Sequence, residues 1–470
     1  MSPVQTPTVA QTAIDGLVAV DLPIHGDARG WFKENWQRDK MVAAGLPDFR
    51  PVQNNVSFNA VRGTTRGFHA EPWDKYVSVV AGEIFGAWVD LRPGAGYGAV
   101  HTARIGPEQA VFVPRGVANA FQTLADDTVY SYLVTEHWSE AARSQYSYVN
   151  LADPQLAVDW PIDLREAVLS EADRNHPLLS EAAPVPPKLI AVLGSSGQLG
   201  RALAQLADAD PRLIMLDRTQ VNLEDPDPLA GLDLSGYSHV INAAAMTAVD
   251  RAETSEGRVQ AWQVNATAVS RLARACADAA VSLIHVSTDY VFDGVHAEVA
   301  EGQPLAPLGV YGQSKAAGEL AVLSHPGHFV VRTSWVIGQG ANFVTTMRKL
   351  AAQGVDPAVV DDQVGRLTFA DELARGILHL IDARCQPGAY HLQGGGQAAS
   401  WHEVARRVFE LTGHDPDRVS GTSTRQYAQG RQDFAPRPAN STFSMGKLRA
   451  TGFEPEDQWI ALARYLGQGD

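Results

Sequence analysis

The sequence predicts two domains of different class, an all-β barrel or sandwich followed by an α/β domain with a parallel sheet. Before residue 160, short apolar or alternating runs such as 76–80 and 84–91 are separated by turn residues, which is typical of strands. From Lys188 onward, apolar strands alternate with segments of helical spacing, which indicates βαβ units. Between them, LLSEAAPVPPK (178–188) contains three prolines in a short polar stretch. We therefore expect domains at 1–178 and 188–470, joined by an extended linker at 179–187.

The composition is that of an ordinary globular protein, with 45% hydrophobic and 19% charged residues over 470 positions. The formal net charge of −15 argues against binding nucleic acid through its phosphates, but it does not exclude one anionic small molecule. The two cysteines, Cys276 and Cys385, have no metal-binding spacing, which excludes a disulfide framework. The first residues lack the pattern of a signal peptide, and no run of 18 apolar residues occurs. We expect a cytoplasmic protein that binds neither nucleic acid nor membrane.

The second half opens with a glycine turn, GSSGQLG (194–200), directly after an apolar strand and at the start of an amphipathic helix. Such glycines let the backbone approach a pyrophosphate, which then meets the helix N-terminus. This context favours a dinucleotide site over a merely tight turn, with contacts from Gly194, Gly197, Gln198 and Leu199. Asp217 and Arg218 end the next strand. An acid suits a ribose 2′-hydroxyl and an arginine suits a 2′-phosphate, so NADH and NADPH both stay open.

A second signal is Tyr311-Gly-Gln-Ser-Lys315, whose spacing puts tyrosine and lysine on one helical face. A nearby ammonium is expected to lower the pKa of the phenol, which makes Tyr311 a usable proton donor or acceptor. Thr288 ends a predicted strand and could complete a Thr/Tyr/Lys triad. The alternative is an exposed helix pair without function, which the neighbouring glycine turn disfavours.

This combination resembles the extended short-chain dehydrogenases/reductases, and most closely the dTDP-4-dehydrorhamnose reductase family, over about residues 188–468. The motifs that carry the resemblance are GSSGQLG, NAAAMTAVDRAE (242–253), STDYVFDG (287–294), PLGVYGQSKAAGE (307–319), RTSWVIGQGANFV (332–344), DDQVGRLTFADELA (361–374), SWHEVA (400–405) and APRPANS (435–441). The resemblance implies a Rossmann domain with a small C-terminal substrate subdomain. It further implies hydride transfer from NADPH or NADH to the C4 ketone of a nucleotide-linked 6-deoxy-4-keto sugar.

The same resemblance implies roles for single residues. Tyr311 would protonate the new alkoxide, and Lys315 would hold Tyr311 and the nicotinamide ribose. Thr288 would form a hydrogen bond to the substrate oxygen. The remaining implied positions are Ala243, Ala244 and Thr247 beside the cofactor and Trp335 beside the substrate.

In the first half, clusters of polar residues interrupt apolar segments that are typical of strands, at 27–34, 53–57, 66–69 and 75–76. Buried polar groups need partners, so either a structural network or a ligand satisfies them. A metal-binding cupin would need several histidines, yet only His69 is present at the first site and Asn119 stands at the second. We therefore interpret His69 as a base and predict no metal.

These clusters resemble the dTDP-4-dehydrorhamnose 3,5-epimerases, metal-free cupins with a jelly-roll barrel, over about residues 13–178. The matching motifs are DARGWFKE (27–34), QNNVS (53–57), RGTTRGFHAEPWDKYVSVVAGEIFGAWVDLR (62–92), VPRGVANAF (113–121), YSYLVTEHW (130–138), DPQLAVDWP (153–161) and LSEADRNHP (169–177). Asn119 replaces the family's histidine.

What this resemblance implies is proton abstraction next to the C4 ketone, at C5 and C3. His69 would be the base, oriented by Asp173; Lys75 would stabilise the enolate oxygen, and Tyr132 would reprotonate from the opposite face. Substrate contacts are implied for Arg29 and Arg66 at the diphosphate, for Glu34, Gln53 and Asn55 at the thymidine end or sugar, and for Asn119.

Each half thus implies the same 4-keto sugar nucleotide, and the product of the first is the substrate of the second. We expect a bifunctional enzyme that converts dTDP-4-dehydro-6-deoxy-D-glucose into dTDP-L-rhamnose, as a homodimer through the cupin domain. One alternative is a reductase fused to a cupin that binds the sugar nucleotide but does not epimerise it, and the reason for considering it is Asn119. The other is a non-catalytic NADP-binding regulatory subunit.

Overall fold

A computed structural model describes residues 6–143, 145–229, 231–431 and 434–467. The chain forms two compact units, Met1–Pro187 and Lys188–Asp470. Among the described residues, no helix is long and apolar enough to cross a membrane.

The first unit is built almost entirely of strands. They are β1 (Thr8–Gln11), β2 (Val18–Asp21), β3 (Ile24–Asp27), β4 (Gly30–Lys33), β5 (Gln53–Asn59), β6 (Thr65–Ala70), β7 (Lys75–Ala81), β8 (Ile84–Asp90), β9 (Val100–Ile105), β10 (Gln109–Val113), β11 (Val117–Thr123), β12 (Thr128–Val134) and β13 (Ser147–Val149). Three short helices accompany them, α1 (Arg38–Ala43), α2 (Glu140–Arg143) and α3 (Glu171–Arg174).

These strands form two antiparallel sheets, in the orders β1-β2-β10-β7-β12-β5 and β13-β6-β11-β8-β9, and a separate β3–β4 hairpin. Alternate side chains of β7, β8, β11 and β12 meet between the two sheets, among them Val77, Val79, Trp88, Phe121 and Tyr130. Because side chains alternate along a strand, one face of each sheet closes this core and the other is free for different contacts. The predicted cupin-like β architecture is confirmed.

The segment 179–187, predicted as an extended linker, lies against the first unit. The Tyr97 hydroxyl donates to the carbonyls of Leu179 (2.9 Å) and Ala182 (3.1 Å), and the Val185 N–H donates to the Leu91 carbonyl (2.9 Å). The side chains of Leu179, Ala182 and Val185 are buried in one apolar cluster with Leu91. The prolines therefore shape a segment that packs on the β-sheet.

The second unit alternates strands and helices. Its strands are β14 (Leu189–Leu193), β15 (Leu213–Leu216), β16 (Tyr237–Asn242), β17 (Ser282–Thr288), β18 (Phe329–Thr333), β19 (Val336–Ile337), β20 (Ala358–Val360), β21 (Val364–Gly365), β22 (Thr368–Phe369), β23 (Gly388–His391), β24 (Ala399–Ser400) and β25 (Ser420–Thr422). Its helices are α4 (Gln198–Ala207), α5 (Ser255–Trp262), α6 (Ala268–Asp278), α7 (Val310–Leu323), α8 (Phe343–Ala352), α9 (Ala370–Asp382), α10 (Trp401–Leu411), α11 (Thr424–Ala428), α12 (Gly446–Arg449) and α13 (Gln458–Gly467).

Six of these strands form a parallel sheet in the order β15-β14-β16-β17-β18-β23, which is the predicted doubly wound fold. The carboxyl ends of parallel strands meet at one edge, so the loops after β14, β16, β17 and β18 lie together there. Gly194 has φ +80° and a Cβ on it would lie 2.7 Å from the Ala244 nitrogen. The glycine turn therefore brings the loop after β14 into close contact with the loop after β16.

Candidate active sites

The interior of the β-barrel collects most of the residues predicted for epimerisation. On β5, residues at alternate positions from Gln53 are partly buried while those between them are exposed. Strand β12 pairs Tyr132 with Asn55 and Val134 with Gln53, and β7 pairs Lys75 with Val134. Gln53 Nε2 donates to Asn55 Oδ1 at 2.8 Å. These neighbouring strands therefore bring Gln53, Asn55, Lys75 and Tyr132 to one region of the barrel.

His69 and Asp173 form the predicted pair, with His69 Nε2 3.0 Å from Asp173 Oδ1. The carboxylate comes from α3, outside the sheet, and it reaches His69 over Gly67. A Cβ on Gly67 would lie 2.3 Å from Asp173 Oδ1, so only glycine at this position admits the carboxylate. Since the ionised carboxylate can only accept, His69 carries its proton on Nε2 and offers Nδ1 as the base.

The environment of Asp173 keeps its carboxyl group ionised. Burial on its own would raise the pKa of Asp173, but hydrogen bonds from His69 and Ser170 and the nearby His69 and His176 lower it to about 2. The Ser170 hydroxyl donates to Asp173 Oδ2 at 2.8 Å, which fixes the second carboxylate oxygen.

A second histidine was missed by the sequence interpretation. His176 Nε2 lies 3.3 Å from the same Asp173 Oδ1, and its ring stacks on Tyr148 with centroids 4.6 Å apart. The possible ligand atoms of His69, Asp173 and His176 lie within 4.8 Å of one another, a spacing that could hold a metal ion. Hydrogen bonds to one carboxylate oxygen account for this arrangement, and the absence of a metal stays a prediction. The motif LSEADRNHP could have shown His176, because it stands three residues after Asp173.

Lys75 is buried and its ammonium pairs with Glu71 at 2.6 Å. Glu71 also accepts from the Trp73 indole N–H at 2.9 Å. Burial raises the pKa of Tyr132, and the charge of Glu71 adds to this effect while Arg66 opposes it. Glu71 was not predicted as a site residue, although its carboxylate joins the lysine and the tyrosine in one charged network.

Asn119 lies directly across from His69 in the pairing of β11 with β6. Its amide group is hydrogen-bonded to the Tyr130 hydroxyl, with Nδ2 3.2 Å from that oxygen. Arg66 reaches Asn59 Oδ1 with its Nε at 3.4 Å. Asn119 is therefore placed beside His69, whereas Arg66 is exposed and contacts Asn59.

Arg29 and Glu34 are not brought to this region of the described chain. Arg29 lies at the turn of the β3–β4 hairpin, is almost fully exposed and pairs with Asp27 at 2.5 Å. Glu34 follows the hairpin and pairs with Lys40. Lys33 ties the hairpin to the carbonyl of Val79, at the far end of β7 from Lys75. Sequence motifs cannot foresee this separation, since they carry order but not distance.

The second unit has a cleft of about 870 Å³ at the carboxyl edge of its parallel sheet. The predicted residues that line it are Gly194, Gly197, Gln198, Leu199, Arg218, Ala243, Ala244, Thr247, Thr288, Tyr311, Lys315 and Trp335. The loops after five strands, β14 to β18, thus converge on one cavity at the carboxyl edge of the sheet.

Asp217 does not line this cleft with the others. Its carboxylate accepts from the backbone N–H of Thr219 (2.8 Å) and Gln220 (3.2 Å), so it closes the turn after β15. Arg218 lines the cleft and pairs with Glu224 at 2.5 Å. The structure therefore separates two side chains that the sequence treats as equivalent candidates.

Tyr311 and Thr288 meet in the cleft beside a buried carboxylate. The Thr288 hydroxyl donates to Asp289 Oδ1 at 2.8 Å, and its oxygen accepts from the Tyr290 N–H at 3.3 Å and from the phenol of Tyr311. Burial raises the pKa of Tyr311 well above its usual range, and the charge of Asp289 adds to this, whereas Thr288 opposes it.

The expectation that Lys315 lowers the pKa of Tyr311 is wrong for this arrangement. Lys315 Nζ donates to the Val286 carbonyl at 2.7 Å and lies 3.1 Å from His285 Nε2. The lysine is therefore committed to β17, and burial of the phenol outweighs its influence. His285 was missed because an apolar strand interior gives no signal for a functional histidine.

Trp335 lies at the wall of the cleft and has φ +47°, a rare conformation for a bulky residue. Its ring stacks on Trp401 with centroids 3.7 Å apart, and both rings border the cavity. A Cβ on Gly365 would lie 2.7 Å from the Trp335 ring, so that glycine makes room for the pair.

Residues 188–469 match the family model of the RmlD substrate binding domain, and residues 11–181 match that of dTDP-4-dehydrorhamnose 3,5-epimerase. The RmlC homolog of Streptococcus pyogenes is 50% identical over 180 residues, which are 37% of this chain and 90% of that protein. The dTDP-4-dehydrorhamnose reductase of Mycobacterium tuberculosis is 42% identical over 287 residues, 59% of this chain and 92% of that protein.

Among solved structures, the dTDP-4-dehydrorhamnose reductase of Bacillus anthracis in complex with NADP is 30% identical, with a TM-score of 0.55. That match covers 60% of this chain and 100% of the other. Together with the two family models, it confirms the resemblances and the fold class that the motifs predict.

Proposed function

Because the chain belongs to the RmlD reductase family over residues 188–469 and carries an epimerase domain over 11–181, we propose that both activities operate in sequence. The substrate is dTDP-4-dehydro-6-deoxy-D-glucose, the intermediate is its C3/C5 epimer, and the product is dTDP-L-rhamnose. The observations that support this proposal are the cleft of the second unit, which is lined by Thr288, Tyr311 and Lys315, and the pairing of His69 with Asp173 in the first unit. The cytoplasmic location stays a prediction from the sequence.

In the first unit, His69 Nδ1 takes the proton from the carbon next to the ketone, since Nε2 is bonded to Asp173. The ionised Asp173 stabilises the imidazolium that forms. The ammonium of Lys75 meets the negative charge that develops on the ketone oxygen, which is strongest in a buried site. Tyr132, kept protonated by burial and by Glu71, returns a proton to the carbon.

In the second unit, a bound reduced nicotinamide supplies the hydride to C4. Tyr311 stays protonated near neutral pH because burial raises the pKa of its phenol, so it can give its proton to the oxygen of the reduced carbonyl. Thr288 holds that phenol from one side. Trp335 and Trp401 offer a flat apolar wall beside which the substrate would lie.

We infer that the cofactor is NADPH in preference to NADH. The carboxylate of Asp217 is engaged in its own turn, which removes the acceptor for a ribose 2′-hydroxyl. Arg218 lines the cleft, where its guanidinium pairs with Glu224. It can release this carboxylate and bind the 2′-phosphate of NADPH instead, because the phosphate carries more negative charge.

We further propose a homodimer formed through the first unit. The outward face of β5, an end strand of its sheet, exposes Val56 (62%) and Phe58 (61%). The β3–β4 hairpin exposes Phe32 (64%) and carries Arg29, which the proposal needs as a phosphate contact. A second copy that covers these apolar side chains would remove them from water.

Proton NMR of the full chain with dTDP-4-dehydro-6-deoxy-D-glucose in D2O tests the proposal. Deuterium entering C3 and C5 without cofactor, followed by dTDP-L-rhamnose on addition of NADPH, is the expected result. Reduction that requires a separately added epimerase would mean that the first unit only binds. Cofactor binding without turnover of any 4-keto sugar would mean a regulatory subunit.

A further inference from the structure

Lys315 is linked to the cofactor side of the cleft by a chain of buried hydrogen bonds. The Ala244 N–H donates to Asn242 Oδ1 at 3.1 Å, Asn242 Nδ2 lies 3.1 Å from His285 Nδ1, and His285 Nε2 lies 3.1 Å from Lys315 Nζ. Asn242 and His285 are fully buried, and Lys315 is 2% exposed. Each of these buried polar atoms must therefore find a hydrogen-bond partner within the protein.

The donor and the acceptor of each hydrogen bond in this series can be assigned by starting from the Ala244 N–H. A backbone N–H can only donate, so the side-chain oxygen of Asn242 faces Ala244 and its NH2 group faces His285. His285 Nδ1 must then accept, which places the proton of a neutral imidazole on Nε2. That N–H points at Lys315 Nζ, and an ammonium has no lone pair with which to accept it.

We propose that Asn242 and His285 are positioning residues that hold Lys315 as a neutral amine in this arrangement, so that the lysine gains its charge only when Nζ turns away from His285. The amine accepts from His285 Nε2–H and donates to the Val286 carbonyl. On leaving His285 it takes a proton from solvent and can then act as an ammonium towards Tyr311. This inference rests on the proposed reductase function.

Burial favours the uncharged form of Lys315. Burial lowers the pKa of Lys315 to about 8, and Glu319, one helical turn further, only partly opposes that. Glu319 is itself held by Arg332 of β18 at 2.7 Å. Burial is the main cause that holds the pKa of His285 well below its usual value, so the imidazole stays neutral. Asp289, which follows Thr288 at the end of β17, accepts from the hydroxyls of Thr288 and Ser441.

The tautomer of His285 can be measured without any turnover. The full chain, labelled with 15N at its 14 histidines, gives long-range 1H–15N spectra, and His285→Gln assigns the signal that disappears. We expect an unprotonated Nδ1 and a protonated Nε2 from pH 6 to 9. An Nδ1–H tautomer or an imidazolium would overturn the proposal, whatever the protein does with 4-keto sugars.

Asn242→Asp provides the second test, because a carboxylate only accepts. The variant keeps the Ala244 contact but draws the imidazole proton to Nδ1, so Nε2 accepts from a Lys315 ammonium. We expect the tautomer to reverse and the alkaline fall of kcat/KM for reduction, which reports the free enzyme, to move up by about one pH unit or more. A merely structural Asn242 would change kcat/KM at every pH and leave the position of that fall unchanged, which would contradict the proposal.

Discussion

The pairing of His69 with Asp173 makes a quantitative prediction for Asp173→Asn. An asparagine keeps the shape of the carboxylate and can still accept from His69 Nε2–H, but it removes the negative charge that stabilises the imidazolium. The lowering of the Asp173 pKa from 3.8 to about 2 corresponds to about 2.5 kcal/mol, which is the contribution of its hydrogen-bond and charge partners after the opposing cost of burial. A single hydrogen bond to a charged group contributes at least about 1.5 kcal/mol.

These two values bound the effect on the epimerase reaction. We expect deuterium exchange at C5 to slow by about 10- to 60-fold for Asp173→Asn, with little change in KM, because the lost interaction grows as His69 gains its proton. The assay is proton NMR in D2O without cofactor, at saturating sugar nucleotide. Exchange within twofold of wild type would refute the reasoning that Asp173 acts on the charged form of His69.

Asp153→Asn is the matched control. Asp153 is also a buried carboxylate of the first unit, and it accepts from the Leu179 backbone N–H at 2.5 Å. Its loss should lower the Tm and leave the exchange rate of the folded protein unchanged. Asp173 also affects stability, and its pKa is depressed. Its stabilising effect is therefore complete above about pH 4 and is lost as the pH falls through about 2.

Further variants test the other groups. Lys75→Met should reduce C5 exchange by about 100-fold or more. Lys33→Met is the control, because it removes a half-buried ammonium that donates only to backbone carbonyls, and it should leave the exchange rate unchanged. Equal losses in the two variants would contradict the role of Lys75. Tyr311→Phe should lower reduction by about 100-fold or more and leave exchange in the first unit intact; loss of both activities would point to misfolding. Arg218→Ala should raise KM for NADPH about tenfold and leave KM for NADH unchanged in initial-rate measurements; a parallel rise for both would remove the argument for a 2′-phosphate. Phe58→Glu should shift the protein from dimer to monomer in analytical ultracentrifugation; a wild-type monomer would end the dimer proposal.

The sequence by itself determined the fold class of both units and the residues of each motif. In the first half, short alternating runs separated by turn residues such as proline and glycine predict a barrel or sandwich of strands. In the second half, the strand, glycine turn and helix around Gly194 predict the start of a parallel sheet. These patterns are local, because the periodicity of side chains along a strand or helix follows from backbone geometry alone. The spacing of Tyr311 and Lys315 on one helical face is local in the same way, whereas the roles of His69 and Lys75 come from the resemblance to the epimerase family.

Only the tertiary structure decided which partners those residues have. Gly67 and Asp173 are far apart in sequence, yet the absence of one side chain is what admits the other. His285 carries no local signal, since a histidine within an apolar strand looks the same in sequence whether or not it meets a charged group. Glu71 and His176 lie within motifs, but the sequence does not show that they contact Lys75 and Asp173. Burial also raised the pKa of Tyr311, where the sequence predicted that Lys315 would lower it. The cost of burying a charge depends on every group around it, and that environment exists only once the chain has folded.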